Sequence, residues 1–160
     1  MLADRMKLLP MRKSRYARFE RASISGYARD KVESGTWEEV EAMALAKREH
    51  DELLPQGLKT EHHHLFELSV DSEFVGVIWV YTDTNPHTVT PSAYIYDIEI
   101  DAEYHRMGYG RQAMLALEQW CLERDIRRIA LNVFAYNRPA VRLYEGLDYR
   151  ATNFRMQKDL

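Results

Sequence analysis

The chain is poor in cysteine. Its 160 residues contain a single one, Cys121, so no intramolecular disulfide can form and we expect a reducing compartment such as the cytoplasm. Cys121 lies in an apolar helical pattern with no His or Lys to activate a thiol, which favours a small buried side chain over a catalytic nucleophile. No apolar run reaches the ~18 residues of a membrane span, and we expect no signal segment at the start.

An excess of positive charge is also missing. The formal net charge is −3, which argues against nucleic acid or an anionic membrane surface as the main partner. Basic side chains cluster in residues 12–21, but they alternate with apolar ones, and this favours a solvated helix face. The length and a hydrophobic fraction of 46% predict one globular domain over residues 1–160.

Residues 1–60 have the pattern of one short strand and two helices. The run at 6–9 predicts an edge strand, and apolar residues at helical spacing predict a first helix that ends at 34–35. Thr36 and Glu39 have the spacing of a capping box. They predict a second helix whose periodic positions are Val40, Met43, Ala44 and Lys47.

Two strands and a histidine triplet come next. Residues 61–70 and 74–81 predict a hairpin that turns at 71–73. His62 and His64 would share one face of a strand and invite a metal hypothesis. No Cys, Asp or further His stands nearby at a ligand spacing, so we assign no metal.

The most informative stretch runs from Tyr94 to Gln112. It reads as a strand, then a turn that contains Gly108 and Gly110, then the opening of a helix. Glycines let the backbone approach an anion, and the first turn of a helix offers unpaired N–H groups. A Gly-x-Gly alone fits a phosphate site and a tight strand-to-helix connection equally well, so both interpretations stay open at this point.

The remaining elements complete a crossover. The helix after the glycines has an apolar stripe through Cys121, and residues 126–134 alternate as a strand parallel to the one before the glycines. Asn137 predicts the cap of a short helix that contains Tyr144. Residues 149–160 predict one or two final strands.

In this order, the elements resemble the GNAT superfamily of acyl-CoA-dependent N-acetyltransferases. Its phosphate-binding signature is Gln/Arg-x-x-Gly-x-Gly/Ala, and residues 105–110 of this chain read His-Arg-Met-Gly-Tyr-Gly. A second match is Asn137 with Ala140, followed by Leu-Tyr-Glu at 143–145 and Leu-Asp-Tyr at 147–149. His105 and Asp148 depart from the usual residues. The Leu-Pro-Gln-Gly-Leu segment and the histidines are similar to a group of small bacterial GNAT proteins.

The resemblance implies an α/β (α+β) fold, with a mixed, mostly antiparallel sheet of six to seven strands and about four helices. Residues 1–60 would form the acceptor side, and 61–160 the acetyl-CoA-binding core. Acetyl-CoA would be the co-substrate, without a metal, and a primary amine of a small molecule or peptide would accept the acetyl group in a ternary complex. The alternative is a non-catalytic acyl-CoA-binding or sensing domain. Homodimers are frequent in this fold.

The same resemblance implies which residues hold the cofactor. Backbone groups of Ile98, Glu99 and Ile100 would receive the thioester carbonyl and the pantetheine amides beside a bulge in the central strand. Asn137 would contact the cofactor arm. The pyrophosphate would lie on backbone N–H groups, with the contribution of the first side chain left open, in the segment His105, Arg106, Met107, Gly108, Tyr109, Gly110 and Arg111. Arg106 and Arg111 would add charge.

For the chemistry, Tyr144 matches the tyrosine that acts as general acid toward the thiolate, with aromatic packing as its alternative role. A phenol is protonated at neutral pH, since its ordinary pKa is near ~10. Asp97 and Glu99 are the candidates for the general base, with Asp97 preferred slightly, and either one is otherwise a solvated or cap-forming acid. Tyr94 and Tyr96 shape the amine pocket or pack in the core. Acidic side chains that suit a cationic acceptor, or simply line a solvated face, are Glu33, Glu38, Glu39, Asp51 and Glu52.

Overall fold

The computed structural model describes residues 5–160, which form a five-stranded sheet flanked by four α-helices. The strands are β1 (Met6–Pro10), β2 (His63–Val70), β3 (Glu73–Asp83), β4 (Ser92–Ile100) and β5 (Arg128–Leu131). The helices are α1 (Lys13–Glu33), α2 (Glu39–Leu53), α3 (Tyr109–Leu122) and α4 (Arg138–Glu145). The expectation about a signal segment falls partly on residues 1–4, outside the described residues.

The sheet follows the order of the chain. Its strands lie as β1-β2-β3-β4-β5, and neighbours are antiparallel except β4 and β5, which are parallel. Asp71 and Ser72 turn the β2–β3 hairpin with positive φ angles of 50° and 70°, as a two-residue hairpin loop requires. The mixed, mostly antiparallel fold and the hairpin are therefore confirmed.

Helix α3 packs on one face of the sheet and forms the main core. Met114 and Leu117 are fully buried there against Leu68 and Ile78. Cys121 belongs to the same stripe, and burial raises the pKa of its thiol to about 11. The interpretation of Cys121 as a small buried side chain is therefore supported, because a thiol with that pKa stays protonated at neutral pH. No helix within residues 5–160 is both long and apolar enough to cross a bilayer.

Helices α1 and α2 cover the opposite face, and here two predictions were wrong. The buried side of α2 consists of Ala42, Ala46 and His50, whereas Val40 is 96% exposed. Alanines bury little area each, but they let two helices approach closely, so α2 meets α1 through its small residues. The capping box does not form either. Thr36 Oγ1 lies 2.9 Å from the hydroxyl of Ser34, and Glu38 begins the helix without a side-chain cap.

The basic cluster near the start of α1 is mostly solvated, as expected, since Arg12, Lys13, Arg18 and Arg21 are exposed, and only Arg15 is partly buried. Glu67 on β2 is buried and accepts hydrogen bonds from the Arg12 side chain at 3.0–3.2 Å. Arg15 lies 3.3 Å from the same carboxylate and covers the Phe74 ring at 3.6 Å. Burial alone would raise the pKa of Glu67, but the bonds from Arg12 and the charge of Arg15 hold it below its ordinary value.

The predicted final strands are also wrong. Residues 150–160 contain no strand, and 151–160 are exposed. Phe154 and Met156 alternate with polar residues and so mimic a half-buried strand, yet a strand forms only where an edge pairs with it. The strand β5 is shorter than residues 126–134 and ends at Leu131. The sheet of the described residues therefore has five strands rather than six to seven.

Candidate active site

Strand β4 carries a bulge at Tyr96. Asp97 opposes Trp79 on β3, whereas Ile95 already opposes the residue after Trp79, so Tyr96 has no direct partner. A bulge bends its strand and re-aims the neighbouring side chains. The expected bulge is present. It lies before Asp97 rather than between Asp97 and Glu99.

Beyond this bulge, β4 and β5 separate. Their parallel pairing begins at Ser92 with Arg128 and ends at Ile95 with Leu131. Within the part of the chain that the structure describes, no strand pairs with residues 96–100 on that side. Free N–H and C=O groups along a strand edge can receive an added extended segment. We call this opening the β4–β5 gap.

The direction of the backbone decides which residues face the β4–β5 gap. The N–H of Asp101 donates to the carbonyl of Val75 on β3 at 2.9 Å. Backbone groups alternate along a strand, so those of Glu99 also point to β3, and those of Ile98 and Ile100 point into the gap. The two isoleucines thus stand where the sequence predicts backbone contacts to the cofactor, whereas Glu99 offers only its side chain.

Asp97 and Glu99 share the face of the sheet that α1 covers. They oppose Trp79 and Val77, and both of these pack in the cluster beneath α1. Asp97 is half-buried and Glu99 is exposed. Burial raises the pKa of Asp97 to about 6, and the charge of Glu99 contributes to the shift. A carboxylate with this pKa is mostly ionised at neutral pH and is still basic enough to accept a proton.

Two residues of α1, Ser23 and Asp30, complete the surroundings of Asp97, and the sequence did not single them out for this role. Ser23 lowers the pKa of Asp97, whereas the charge of Asp30 raises it. They stand seven positions apart, which places them on one helix face. No pattern in the sequence shows that this face lies over β4. Asp30 also accepts a hydrogen bond from the Tyr136 hydroxyl at 2.5 Å, which joins α1 to the β5–α4 loop.

Tyr144 on α4 lies close enough to Asp97 to feel its charge. Burial raises the pKa of the Tyr144 phenol, and the Asp97 carboxylate raises it further. The ring is half-buried and lies 6.0 Å from that of Tyr149. The structure thus brings together the two side chains that the sequence assigns to proton transfer, although 47 positions separate them in the chain.

The two glycines form the turn that leads into α3. Gly108 has φ 78° and Arg106 has φ 62°, both in the left-handed region. A Cβ at Gly108 would meet nothing within 4 Å, so the backbone conformation rather than crowding favours glycine. The first helical bond runs from Gln112 N to Gly108 O at 3.1 Å. The N–H groups of residues 109–111 therefore lack a partner in the helix and suit an anion.

Side chains around this turn mostly hold protein groups. The Nε2 atom of His105 lies 2.6 Å from the carbonyl oxygen of Ile100. Arg111 donates to the carbonyl oxygen of Gly146 at 3.0 Å, which ties α3 to the end of α4. Asn137 caps α4, since its Oδ1 accepts from the N–H of Ala140 at 3.3 Å. The expected cap is confirmed. Contacts of His105 and Asn137 with a cofactor stay predictions.

The histidine triplet does not converge on one point. The Nδ1 atom of His63 accepts a hydrogen bond from the Trp79 indole at 2.9 Å, and Nε2 of His64 lies 3.0 Å from the Thr82 hydroxyl. His62 precedes β2 and has a positive φ of 64°. The bond to Trp79 places His63 on the same face of the sheet as Asp97. The sequence did not reveal this location.

Acidic side chains of the two helices divide between ion pairs and the cleft. Asp51 pairs with Lys47 at 2.6 Å. Glu33 lies near Tyr136 at the mouth, where burial, the bond to Asp30 and the charge of Glu33 raise the pKa of Tyr136 to about 12. Of the five acids expected to suit a cationic acceptor, Glu33 is therefore close to the cleft, while the charge of Asp51 is already balanced.

Comparison with known proteins gives a consistent result. The profile of the Acetyltransferase (GNAT) family matches residues 29–149. The chain is 36% identical over 154 residues to the uncharacterized N-acetyltransferase YycN of Bacillus subtilis, covering 96% of this chain and 97% of YycN. It is 30% identical to the uncharacterized N-acetyltransferase YdgE of the same organism, covering 94% and 95%.

Solved structures agree with the sequence relatives. The crystal structure of YycN superposes with a TM-score of 0.93 at 35% identity, over 97% of this chain and 98% of that one. The aminoglycoside N-acetyltransferase AAC(6')-Iy, in complex with CoA, has a TM-score of 0.61 at 15% identity, over 97% and 94%. The second likeness concerns the fold alone.

Proposed function

The chain belongs to the GNAT acetyltransferase family and is an N-acetyltransferase, and we propose that it moves an acetyl group from acetyl-CoA directly to a primary amine of a small molecule or peptide. The observation that carries this proposal is the β4–β5 gap, a free backbone edge bordered by Asp97 and Tyr144. A reducing, cytoplasmic location is part of the proposal.

Acetyl-CoA fits the gap and the turn before α3 together. The pyrophosphate would accept hydrogen bonds from the free N–H groups of residues 109–111, and the positive end of the helix dipole stabilises its charge. The pantetheine arm would pair with the backbone of Ile98 and the N–H group of Ile100 as an added strand does, while the Ile100 carbonyl oxygen stays with His105. This placement leaves the thioester beside Asp97. No metal takes part in the proposed reaction.

The transfer needs a neutral amine. Asp97 accepts a proton from the acceptor's ammonium group, directly or through one water molecule, and the freed lone pair attacks the thioester carbonyl carbon. The attack converts the carbonyl into an oxyanion, which a free backbone N–H in the gap stabilises. Collapse of this intermediate re-forms the carbonyl and breaks the carbon–sulfur bond, and the attacking nitrogen gives up its remaining extra proton to solvent to leave a neutral amide.

Tyr144 supplies the proton for the departing thiolate. Its raised pKa keeps the phenol protonated at neutral pH, and the hydroxyl donates as negative charge develops on sulfur. The products are the acetylated amine and CoA as a free thiol. The proton taken by Asp97 passes to solvent, and the tyrosinate regains one from solvent, so the enzyme returns to its starting state.

Thiol release from acetyl-CoA by the purified protein tests this function. We expect a set of primary amines to contain members that raise the rate well above hydrolysis by water. If acetyl-CoA binds and no amine raises the rate, the proposed transfer fails, and a non-catalytic acyl-CoA-binding or sensing role replaces it.

Tyr144→Phe tests the mechanism. Loss of general-acid catalysis lowers kcat by about 10²- to 10⁴-fold, while the affinity for acetyl-CoA, measured by calorimetry, stays within about twofold because the ring is retained. The matched control is Tyr149→Phe. It removes a hydroxyl from the neighbouring ring, whose centroid lies 6.0 Å from that of Tyr144, and it leaves the proposed acid in place. Equal losses in both variants, or loss of acetyl-CoA binding in Tyr144→Phe, would mark Tyr144 as a packing residue.

A further inference from the structure

The acceptor side of the sheet carries a connected group of aromatic rings. Tyr96 stacks on Trp79 with a centroid separation of 4.8 Å, and it meets Tyr94 at 4.8 Å and His63 at 5.8 Å. The bulge explains this arrangement, because it leaves Tyr96 without a cross-strand partner and turns its ring onto Trp79. We call these four residues the aromatic wall.

Tyr96 is the open member of the wall. Trp79 is 3% exposed and is also covered by Phe19 from α1, whereas Tyr96 is 39% exposed. An exposed ring held by three others is a preformed, rigid platform for another flat group. The bulge places the Tyr96 ring on Trp79, the residue that opposes Asp97 on β3, so a group that stacks on this ring lies beside the proposed base.

His63 adds a hydrogen-bond donor to the wall, and Trp79 determines which ring nitrogen carries the proton. The indole N–H of Trp79 can only donate, so the Nδ1 atom of His63 that receives it must carry a lone pair. A neutral imidazole then has its proton on Nε2. Burial lowers the pKa of His63, with smaller contributions from His64 and His62, so the neutral form prevails at pH 7. The Nε2–H group makes no hydrogen bond within residues 5–160 and its ring is half-buried.

An N–H donor recognises an oxygen and disfavours an ammonium group. The neighbouring rings of Tyr27 and Trp37 already have a cation, since the Lys31 ammonium lies 5.3 and 5.2 Å from their centroids. The open ring of Tyr96 and the donor of His63 thus fit an uncharged planar group that bears an oxygen. By strand spacing, the α-carbons of Asp97 and His63 lie about 12 Å apart, which leaves between their side-chain ends roughly the length of an arylalkylamine.

We propose that Tyr96 and His63 form the acceptor subsite of this enzyme, and that its substrates are primary amines attached by a short chain to an aromatic ring with an oxygen substituent. The ring stacks on Tyr96, the oxygen accepts from Nε2–H of His63, and the amine reaches Asp97. This proposal rests on the proposed acetyl transfer and adds the class of acceptor.

The test compares acceptors of matched shape with acetyl-CoA as donor. Tyramine has the ring and the oxygen, phenethylamine lacks the oxygen, cyclohexylethylamine lacks the flat ring, and putrescine carries a second ammonium group instead. We expect kcat/KM to fall in the order tyramine, phenethylamine, cyclohexylethylamine. A single neutral hydrogen bond corresponds to about a fivefold preference for tyramine over phenethylamine.

His63→Phe keeps a ring in the wall and removes the donor. We expect the preference for tyramine over phenethylamine to fall to about one, through a higher KM for tyramine with kcat nearly unchanged. Trp79→Phe removes the indole N–H that keeps the imidazole proton of His63 on Nε2. It should therefore weaken the preference for tyramine in part. The matched control is His62→Asn, because Asn tolerates the positive φ at this exposed neighbour. It should retain the full preference.

The outcomes separate the two proposals. Turnover of putrescine or cyclohexylethylamine at least as fast as tyramine, or an unchanged preference in His63→Phe, overturns the acceptor subsite and leaves acetyl transfer intact. Absence of turnover with every amine, while acetyl-CoA still binds, overturns the acetyl transfer and the subsite with it.

Discussion

The raised pKa of Asp97 makes a prediction about pH that can be worked out in advance. Burial moves this pKa from an ordinary value near 3.8 to about 6. A general base works only when ionised, so kcat/KM should fall tenfold per pH unit below a midpoint of about 6. This fall in kcat/KM is the acid limb of the pH profile. An unperturbed carboxylate would place the limb near pH 4. The position of the limb therefore reports on the surroundings of Asp97.

Removal of the Glu99 charge should lower the pKa of Asp97. Residues two apart on one strand face lie about 7 Å from each other. At this distance two unit charges interact by about 0.6 to 2.4 kcal/mol for an effective dielectric constant between 80 and 20, which corresponds to about 0.4 to 1.7 pKa units. Glu99→Gln removes this repulsion, so the carboxylate of Asp97 loses protons more easily. The acid limb should move to lower pH by roughly one unit.

The assay is thiol release measured from pH 4.5 to 9 at saturating acetyl-CoA with one fixed amine. The ammonium group of the acceptor titrates as well, but on the alkaline side and equally in every variant. Asp97→Asn should lower kcat/KM by about 10²- to 10⁴-fold and abolish the limb. The charge-matched control is Glu103→Gln, an exposed acid outside the cleft, which should leave the midpoint in place.

Stability supplies an independent check on Asp97. Because the folded-state pKa is raised above the unfolded one, ionisation of Asp97 opposes folding, and the penalty is present above pH 6 and absent below pH 4. A shift from 3.8 to about 6 corresponds to at most about 3 kcal/mol. Asp97→Asn should therefore unfold at higher urea concentration at pH 8. A limb that survives in Asp97→Asn, or one that Glu99→Gln leaves unmoved, would refute the assignment.

Three further predictions concern the framework of the site. Glu67→Gln should lower the free energy of unfolding by about 1.5 to 3 kcal/mol in urea titrations, because the bonds from Arg12 and the contact with Arg15 lose the carboxylate charge. The wild-type contribution should vanish as pH falls below 4.5, since the folded-state pKa of Glu67 is lowered. Gly108→Ala should cost about 1 kcal/mol from the φ of 78° and raise the KM for acetyl-CoA, whereas Gly26→Ala, inside α1, should do neither. Cys121 should resist alkylation in the native protein at pH 8 and react in urea, and modification of the native thiol would contradict its burial.

The elements that the sequence predicted correctly are those specified by local chemistry. Asp71 and Ser72 adopt left-handed conformations that a tight hairpin needs, and Asn137 caps α4 through its own side chain. The stripe of α3 follows from helical periodicity. The open edge at Ile98 and Ile100 was expected from the family resemblance rather than from pattern alone, because splaying of β4 from β5 depends on pairing between distant segments.

Features that depend on tertiary contacts escaped prediction. Helix α2 buries alanines and exposes Val40, since the partner helix rather than hydrophobicity decides which face is covered. The alternating residues of 150–160 mimic a strand, but no edge pairs with them. Asp30 and Ser23 reach Asp97 only because α1 crosses β4. His63 looked like part of a metal motif, and its bond to Trp79 became visible only with the register of β2 and β3.

The central claim is that acetyl-CoA adds to the free edge of β4 and places its thioester beside Asp97. Amide hydrogen exchange, followed by NMR with and without acetyl-CoA, tests this most directly. The account predicts that binding slows exchange at Ile98, Ile100 and residues 109–111, while Asp101, already bonded to Val75, changes little. Tight binding of acetyl-CoA without protection of Ile98 and Ile100 would contradict it.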